Sequence, residues 1–165
     1  MEEINKTPLV FISYSWDNKE HKAWVRKLAK DLAKNGVDVR FDQWKNQLGA
    51  DIAYFMDESG RIADRVLCIL TPSYKERANE LIGGVGYEYR NMTAEMYANV
   101  KTTKFIPVLR KGTFKESDPT ALFGRVTLDM RDDSKYEEKF EELLRDIFDK
   151  PKYKKPELGT PPKFD

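Results

Sequence analysis

The sequence is poor in the residue types that build disulfides, metal sites and nucleophilic triads. Its 165 residues include one cysteine, Cys68, and one histidine, His21. A single cysteine excludes an internal disulfide and is typical of a reducing compartment. Cys68 lies in the apolar run VLCIL, which predicts a small buried side chain rather than a nucleophile. A lone histidine without a cysteine cluster gives no basis for a zinc site or a Ser-His-Asp triad, so no metal is expected.

The chain also lacks an excess of charge of one sign and any long apolar run. Lys and Arg number 29 against 28 Asp and Glu, a net charge of +1, which disfavours a nucleic-acid-binding protein. No stretch approaches the roughly 18 apolar residues of a membrane-spanning helix, and the first residues form no apolar signal segment. We therefore expect a cytoplasmic protein. A G-x-G-x-x-G turn after the first strand and a Walker loop are both missing, which disfavours dinucleotide dehydrogenases and P-loop NTPases.

What the chain does have is an alternation of strand and helix patterns. Strands are predicted at residues 9–15, 37–41, 65–71, 104–110 and 125–130, with 65–71 in the centre because it is the most apolar. Helices are predicted after a cap at Asp17 or Asn18, at 52–63 after Asp51, from about 87 to 99, and at 135–148. This order predicts a flavodoxin-like, doubly wound sheet of five parallel strands with helices on both faces.

Several finer expectations follow from the same patterns. His21 is expected on the polar face of the first helix, and Ile52, Phe55 and Met56 are expected to face the core. Pro107 is expected at a sheet edge or bulge, because proline cannot donate to a strand ladder. Residues 71–86 read as a long polar connection. Residues 1–149 form the predicted domain, and 150–165, with five lysines and four prolines, form a tail or linker to a possible further module.

The sharpest candidate for chemistry is Glu88, in the segment GGVGYE. Gly83, Gly84 and Gly86 allow a tight turn, and a carboxylate in the first turn of the helix that follows is favoured in its ionised form. Such an acid can accept hydrogen bonds from ribose hydroxyls and stabilise an oxocarbenium-like centre. The spacing alone fits equally a favourable first-turn acid on a surface helix.

Hydroxyl and aromatic residues follow the predicted strands. Ser13 and Tyr14 end the first strand, and Ser73 and Tyr74 follow the central one, so all four are candidates for binding a phosphate or ribose at the carboxyl edge of the sheet. Turn formation and helix capping explain such residues as well. Asp42 and Trp44 follow the second strand. Trp44 can stack on a base or pyridine ring, or fold back as a lid over the core.

Four segments resemble motifs of Toll/interleukin receptor (TIR) domains, and in particular the bacterial branch that is similar to SEFIR domains. VFISYSWD resembles the first-strand signature, and VRFDQW resembles the second strand and the start of the BB loop. LCILTPSYKERAN followed by GGVGYE resembles the third strand, its connection and the glutamate-bearing helix, and FIPVLR resembles the fourth strand. The matches occur in order over roughly residues 8–148. ELIGGVGYE is longer than the S-x-W-C-x-x-E segment of many TIR domains and suits the SEFIR-like branch.

The resemblance implies a TIR fold and cleavage of NAD+ at the nicotinamide–ribose bond, with Glu88 as the catalytic residue. NAD+ is then a substrate, and no cofactor is expected. For this reaction we expect the substrate-binding residues to be Phe11, Ser13, Tyr14, Asp42, Trp44, Ser73, Tyr74 and Tyr87. Self-association through the BB loop, about residues 43–50, and a fused or associated sensor module in anti-phage defence are also implied.

Two other functions stay open at this stage. The first is an adaptor that acts only through TIR–TIR contacts, because not every member of the SEFIR-like branch is an enzyme. The second is an enzyme resembling nucleoside deoxyribosyltransferases, whose related fold also directs a glutamate at a sugar. A substrate panel separates the second from an NAD+-cleaving enzyme.

Overall fold

The computed structural model describes residues 6–44, 47–80, 94–95, 98–99, 101–122 and 124–165. Five parallel strands form one sheet in the order β2-β1-β3-β4-β5. The strands are β1 (Leu9–Tyr14), β2 (Asp38–Arg40), β3 (Arg65–Leu70), β4 (Phe105–Leu109) and β5 (Leu128–Asp129). The predicted fold class is confirmed, with β3 as the central strand.

Helices cover both faces of the sheet, as predicted. In the described residues they are α1 (Lys19–Lys34), α2 (Ile52–Ile62), α3 (Pro72–Glu80), the short α4 (Phe114–Ser117) and α5 (Tyr136–Ile147). Because successive strand side chains point to opposite faces, Val10 and Ile12 pack with α1 and α5, while Phe11 packs with α2 and α3. The core is therefore two apolar layers, one on each side of the sheet.

α1 begins at the predicted cap but has a different buried face near its start. The Asn18 side chain accepts from the His21 backbone N–H, and the predicted core positions Leu28 and Leu32 are buried. The expectation that His21 lies on the polar face is wrong, because the residue is 1% exposed. Its position, four residues before Val25, places it on the same buried stripe.

The segment after β3 is a helix where a polar connection is expected. Pro72 does end the strand, but it is also the first residue of α3, where proline is well tolerated because the first turn leaves its N–H positions unbonded. Tyr74 and Ala78, four residues apart, are both fully buried. The charged residues around them conceal this narrow apolar face in the sequence.

α2 begins after the predicted cap, since the Asp51 side chain accepts from the Tyr54 N–H. Met56 faces the core and Phe55 packs against it, as expected. The expectation for Ile52 is wrong, because this first helical residue is 51% exposed.

β4 is an interior strand, but Pro107 is locally at an edge, as expected, because β5 does not extend alongside it. The Lys104 carbonyl accepts a hydrogen bond from Val66 of β3, and the Arg110 N–H donates one to Leu70 of β3. The backbone groups of every second residue of β4 therefore point towards β3. Pro107 lies between these residues, so its nitrogen points away from β3. Pairing with β5 begins only at Val108. The missing proline N–H therefore removes no ladder bond, and no bulge is needed.

Beyond α5, residues 150–165 are exposed and belong to no helix or strand. The division of the chain at residue 149 stays a prediction. Within the described residues, none of the helices has both the length and the apolar content to cross a bilayer.

Candidate functional site

The carboxyl ends of β1, β2 and β3 lie side by side at one edge of the sheet. The strand order reverses between β1 and β3, which is the point where open α/β sheets bind ligands. Ser15 follows β1 and Thr71 follows β3, and their hydroxyl oxygens are 3.3 Å apart. The structure thus brings together the residues that follow these strands, as the sequence predicts.

The hydroxyl groups predicted to bind substrate at this edge are mostly bonded to one another. Ser13 Oγ and Tyr74 Oη are 3.0 Å apart, and both residues are buried. The Thr71 hydroxyl accepts from the Tyr74 backbone N–H at 3.1 Å, which caps the first turn of α3. Ser73 lies beside them and is half-buried. A direct role for Ser13, Tyr74 and Ser73 in binding substrate stays a prediction. In the structure, Ser13 and Tyr74 join α3 to β1.

Asp42 accepts hydrogen bonds on both carboxylate oxygens. The Tyr14 hydroxyl donates to Oδ1 at 2.7 Å, and the Trp16 indole N–H donates to Oδ2 at 3.0 Å. Burial and the neighbouring carboxylate raise the pKa of Tyr14, so its hydroxyl remains a proton donor. This arrangement ties the end of β1 to the turn that follows β2. The sequence analysis did not identify Trp16, although its position beside Ser15 places it at this edge.

Gln43 extends this arrangement to α1. Its side-chain amide donates to the Tyr14 hydroxyl at 2.9 Å and to the Lys22 carbonyl at 3.3 Å, and it accepts from Arg26 Nε at 3.0 Å. The start of the predicted BB loop is therefore attached both to β1 and to the first half of α1.

Trp44 lies one residue further along the same turn. Its ring meets Phe41 edge-on, with centroids 5.3 Å apart, and 46% of the residue is exposed. The ring therefore covers a core aromatic and keeps an exposed surface, and its role in stacking on a ligand stays a prediction.

Phe11 lies deeper in the sheet than the other candidates. The residue is 1% exposed, and its ring meets Phe55 edge-on with centroids 6.5 Å apart. Its assignment to substrate binding stays a prediction, and the burial of the ring argues against direct contact. Glu88 and Tyr87 lie outside the described residues, so their roles also stay predictions.

His21 is the buried polar residue that the sequence analysis did not place near the site. Neither ring nitrogen has a hydrogen-bond partner among the described residues, and the ring lies 6.3 Å from that of Tyr14. Burial lowers the pKa of His21, and the positive charges of Lys111 and Arg110 lower it further, while Asp17 acts in the opposite direction. The imidazole is therefore held neutral beside the edge.

The predicted BB loop, residues 43–50, is described except for 45 and 46. Four large hydrophobic residues of this loop and the start of α2 are exposed, and we name them the loop patch. They are Trp44 (46% exposed), Leu48 (100%), Ile52 (51%) and Tyr54 (63%). A shallow groove of about 600 Å³ between the loop and α2 includes Trp44 and Tyr54 in its lining.

A second groove, of about 1080 Å³, lies at the opposite end of the sheet. Arg65, Phe105 and Leu128, near the starts of β3, β4 and β5, line it together with α5. None of the candidate site residues that the structure describes contributes to it. Among the described residues, no group of His, Cys, Asp and Glu is arranged to hold a metal ion.

Comparisons with known proteins agree with this architecture. The family model described as TIR domain matches residues 10–144. The crystal structure of a prokaryotic SEFIR domain shares 40% identity and a TM-score of 0.70, over 86% of this chain and 99% of that chain. No curated protein gave a match.

Two more distant structures share the fold alone. The TIR domain of the Toll-related receptor TRR-2 from Hydra magnipapillata is 17% identical, with a TM-score of 0.62, over 84% of this chain and 96% of that chain. The TIR domains of the activated Roq1 resistosome, which recognises the pathogen effector XopQ, are 14% identical, with a TM-score of 0.60. The match covers 86% of this chain and 99% of that chain.

Proposed function

Because this chain belongs to the TIR domain family, we propose that it is an NAD+ glycohydrolase that works as an assembly of several copies. The proposed reaction breaks the bond between nicotinamide and the ribose C1′. Departure of nicotinamide leaves positive charge on C1′, which the Glu88 carboxylate stabilises. Water then adds to C1′ and loses a proton, giving ADP-ribose. Capture by a nucleophile within the same molecule would give a cyclic isomer instead.

One observation on the described edge supports Glu88 as the acid. The other candidate carboxylate, Asp42, accepts hydrogen bonds on both oxygens from Tyr14 and Trp16. Asp42 is also only 9% exposed, so little of this carboxylate is accessible to two ribose hydroxyls. The proposal therefore gives the catalytic role to Glu88 and a supporting role to Asp42.

The loop patch supports the second part of the proposal, activation by self-association. Leu48 is fully exposed, and three other large hydrophobic residues lie near it in the sequence and are about half exposed or more. Burial of such side chains between copies is favourable, at about 25 cal/mol per Å². We propose that the loop of one copy meets a neighbouring copy through this patch. A linked sensor module, anti-phage defence and a cytoplasmic location belong to the same proposal.

The deciding experiment measures NAD+ loss by the purified full chain at high protein concentration. Nicotinamide and ADP-ribose are separated by chromatography for the unmodified protein and for Glu88→Gln, which keeps the size of the side chain and removes its charge. We expect a loss of about 100-fold or more in turnover. Glu20→Gln, on the exposed side of α1, is the matched control and should retain full activity. Equal turnover by Glu88→Gln and the unmodified protein would contradict the mechanism.

A second candidate, a non-catalytic adaptor, is favoured by the 40% identity to a prokaryotic SEFIR domain. It predicts self-association through the loop patch and no nicotinamide release at any concentration. Leu48→Asp separates the two functions when association and NAD+ loss are measured together. In the enzyme, this variant loses both properties, whereas in an adaptor it loses association and there is no activity to lose. Deoxynucleosides included in the same assay test for a deoxyribosyltransferase.

A further inference from the structure

The carboxyl edge offers a ligand few free hydroxyl groups. Ser13, Ser15, Thr71 and Tyr74 are all buried, and each makes a hydrogen bond within the protein. A ligand that binds here without displacing these bonds therefore meets the side chains that stay exposed. Two of them are tryptophans, Trp16 and Trp44.

Trp16 is the more firmly held of the two through polar contact. It follows the last residues of β1 at the sheet edge, and 47% of the residue is exposed. Its indole N–H donates to Asp42 Oδ2 at 3.0 Å. A hydrogen bond to a carboxylate is stronger than one to a neutral acceptor, so the ring has a defined orientation although it is half in solvent. An aromatic ring fixed in this way binds another ring with little loss of side-chain entropy.

A positive charge accompanies the ring. The Lys22 ammonium lies 5.0 Å from the centroid of Trp16, within the range of a cation–π interaction. Lys22 is on α1, one helical turn after Asn18. Because Lys22 covers one face of the indole, another ring can stack only on the opposite face. A fixed aromatic ring with an ammonium group beside it suits a molecule that joins a planar ring to a phosphate, which is the chemistry of a nucleotide.

We propose that Trp16 stacks on a planar ring of the dinucleotide substrate and that Asp42 is a positioning residue, which holds the indole and does not touch the ribose. This inference rests on the proposed function and adds to it a ring-binding residue. The ring is either nicotinamide or adenine, and both offer the same flat face.

The direct test uses a protein in which Trp16 is the only tryptophan. The chain has three, so Trp24→Phe and Trp44→Phe leave Trp16 as the sole indole reporter. Glu88→Gln is added to prevent substrate loss, and circular dichroism checks the fold. We expect NAD+ to quench the fluorescence of Trp16, and pyrophosphate, which has no ring, to leave it unchanged. Nicotinamide mononucleotide and AMP show which ring is bound. No response to NAD+ would overturn the inference.

Kinetics of the otherwise unmodified enzyme give a second, independent test. Trp16→Ala should raise KM about tenfold with little change in kcat, because stacking on an aromatic residue contributes about 1–3 kcal/mol per base. Trp16→Phe should restore part of the affinity. Asp42→Asn should raise KM while kcat is retained, which a general loss of stability would not produce. Trp24→Phe, at a partly buried ring that packs against Tyr136 and Arg110, is the matched control.

The outcomes separate this inference from the proposed function. If Glu88→Gln abolishes turnover and Trp16 does not respond to NAD+, the glycohydrolase stands and the ring site is overturned. If Trp16 responds but Glu88→Gln retains turnover, the ring site is supported and the proposed role of Glu88 fails. If Trp16→Ala weakens self-association and leaves KM unchanged, Trp16 belongs to an interface and the inference is overturned.

Discussion

The hydroxyl oxygens of Ser13 and Tyr74 are 3.0 Å apart in the interior of the protein, where they join the end of β1 to the first turn of α3. Both residues are at most 1% exposed. A polar pair in this position is stable because each hydroxyl bonds to the other, and removing one leaves the other without that partner.

Tyr74→Phe therefore tests whether this pair is structural. We expect the free energy of unfolding to fall by about 1–2 kcal/mol, because a buried hydroxyl loses its hydrogen bond. Urea unfolding measures the change. Tyr54→Phe is the matched control, since Tyr54 is 63% exposed. Equal stability of the two variants would argue against a structural role for the pair.

His21 predicts a pH dependence of stability. The pKa of the buried imidazole is below its ordinary value of 6.5, so the folded protein binds this proton less readily than the unfolded chain. Stability from this group is complete above pH 6.5 and is lost as the pH falls below that value. Burial raises the pKa of Asp118, so its contribution to stability has the opposite sign and falls as the pH rises.

The measurement is therefore a difference between two pH profiles. His21→Phe should flatten the fall in stability between pH 7 and pH 5, and the slope removed is at most about 1.4 kcal/mol per pH unit, the value for one proton. Because His21 is the only histidine, no second imidazole contributes. Parallel profiles for the two proteins would show that His21 does not titrate on unfolding.

Two glycines should respond in opposite directions to alanine. Gly112 has φ +77°, and an added Cβ would lie 2.7 Å from Ser117 Oγ and 3.0 Å from Pro72 Cγ. Gly112→Ala should therefore lower the free energy of unfolding by about 1–3 kcal/mol. Gly60 lies inside α2 with open space around it, so Gly60→Ala should raise stability by about 0.5–1 kcal/mol. Thermal unfolding of both variants measures the contrast, and a change of the same sign in both would contradict it.

Much of the fold was predictable because its signals are local. β3 is the most apolar segment and is the central strand, and α5 buries Tyr136, Phe140 and Leu143 at helical spacing, as predicted. The sequence analysis missed α3 because the local signal is weak there. Only two of its apolar residues, Tyr74 and Ala78, face the core, and the remainder is charged or polar. A pattern with so few apolar positions resembles a loop.

Residue type misled the sequence analysis where burial depends on neighbouring elements. His21 is polar but lies on the buried side of α1, whereas Ile52 is apolar but opens α2 in solvent. Pro107 is tolerated within the sheet because β5 is too short to reach it. The exposure of Ile52 and the setting of Pro107 depend on neighbouring elements, whereas the burial of His21 follows from its spacing to Val25 along α1.

The sequence by itself determined the order of the strands, the helices α1, α2 and α5, and the family, because hydrophobic periodicity and short motifs are properties of neighbouring residues. Only the tertiary structure decided which polar groups at the carboxyl edge bond to one another and which stay exposed. Tyr14, Trp16 and Asp42 meet there because β1 and β2 pair in parallel, and this pairing brings together residues that are about 26 to 28 positions apart. Contacts between residues so far apart in the sequence are set by packing of the whole sheet, which no local pattern specifies.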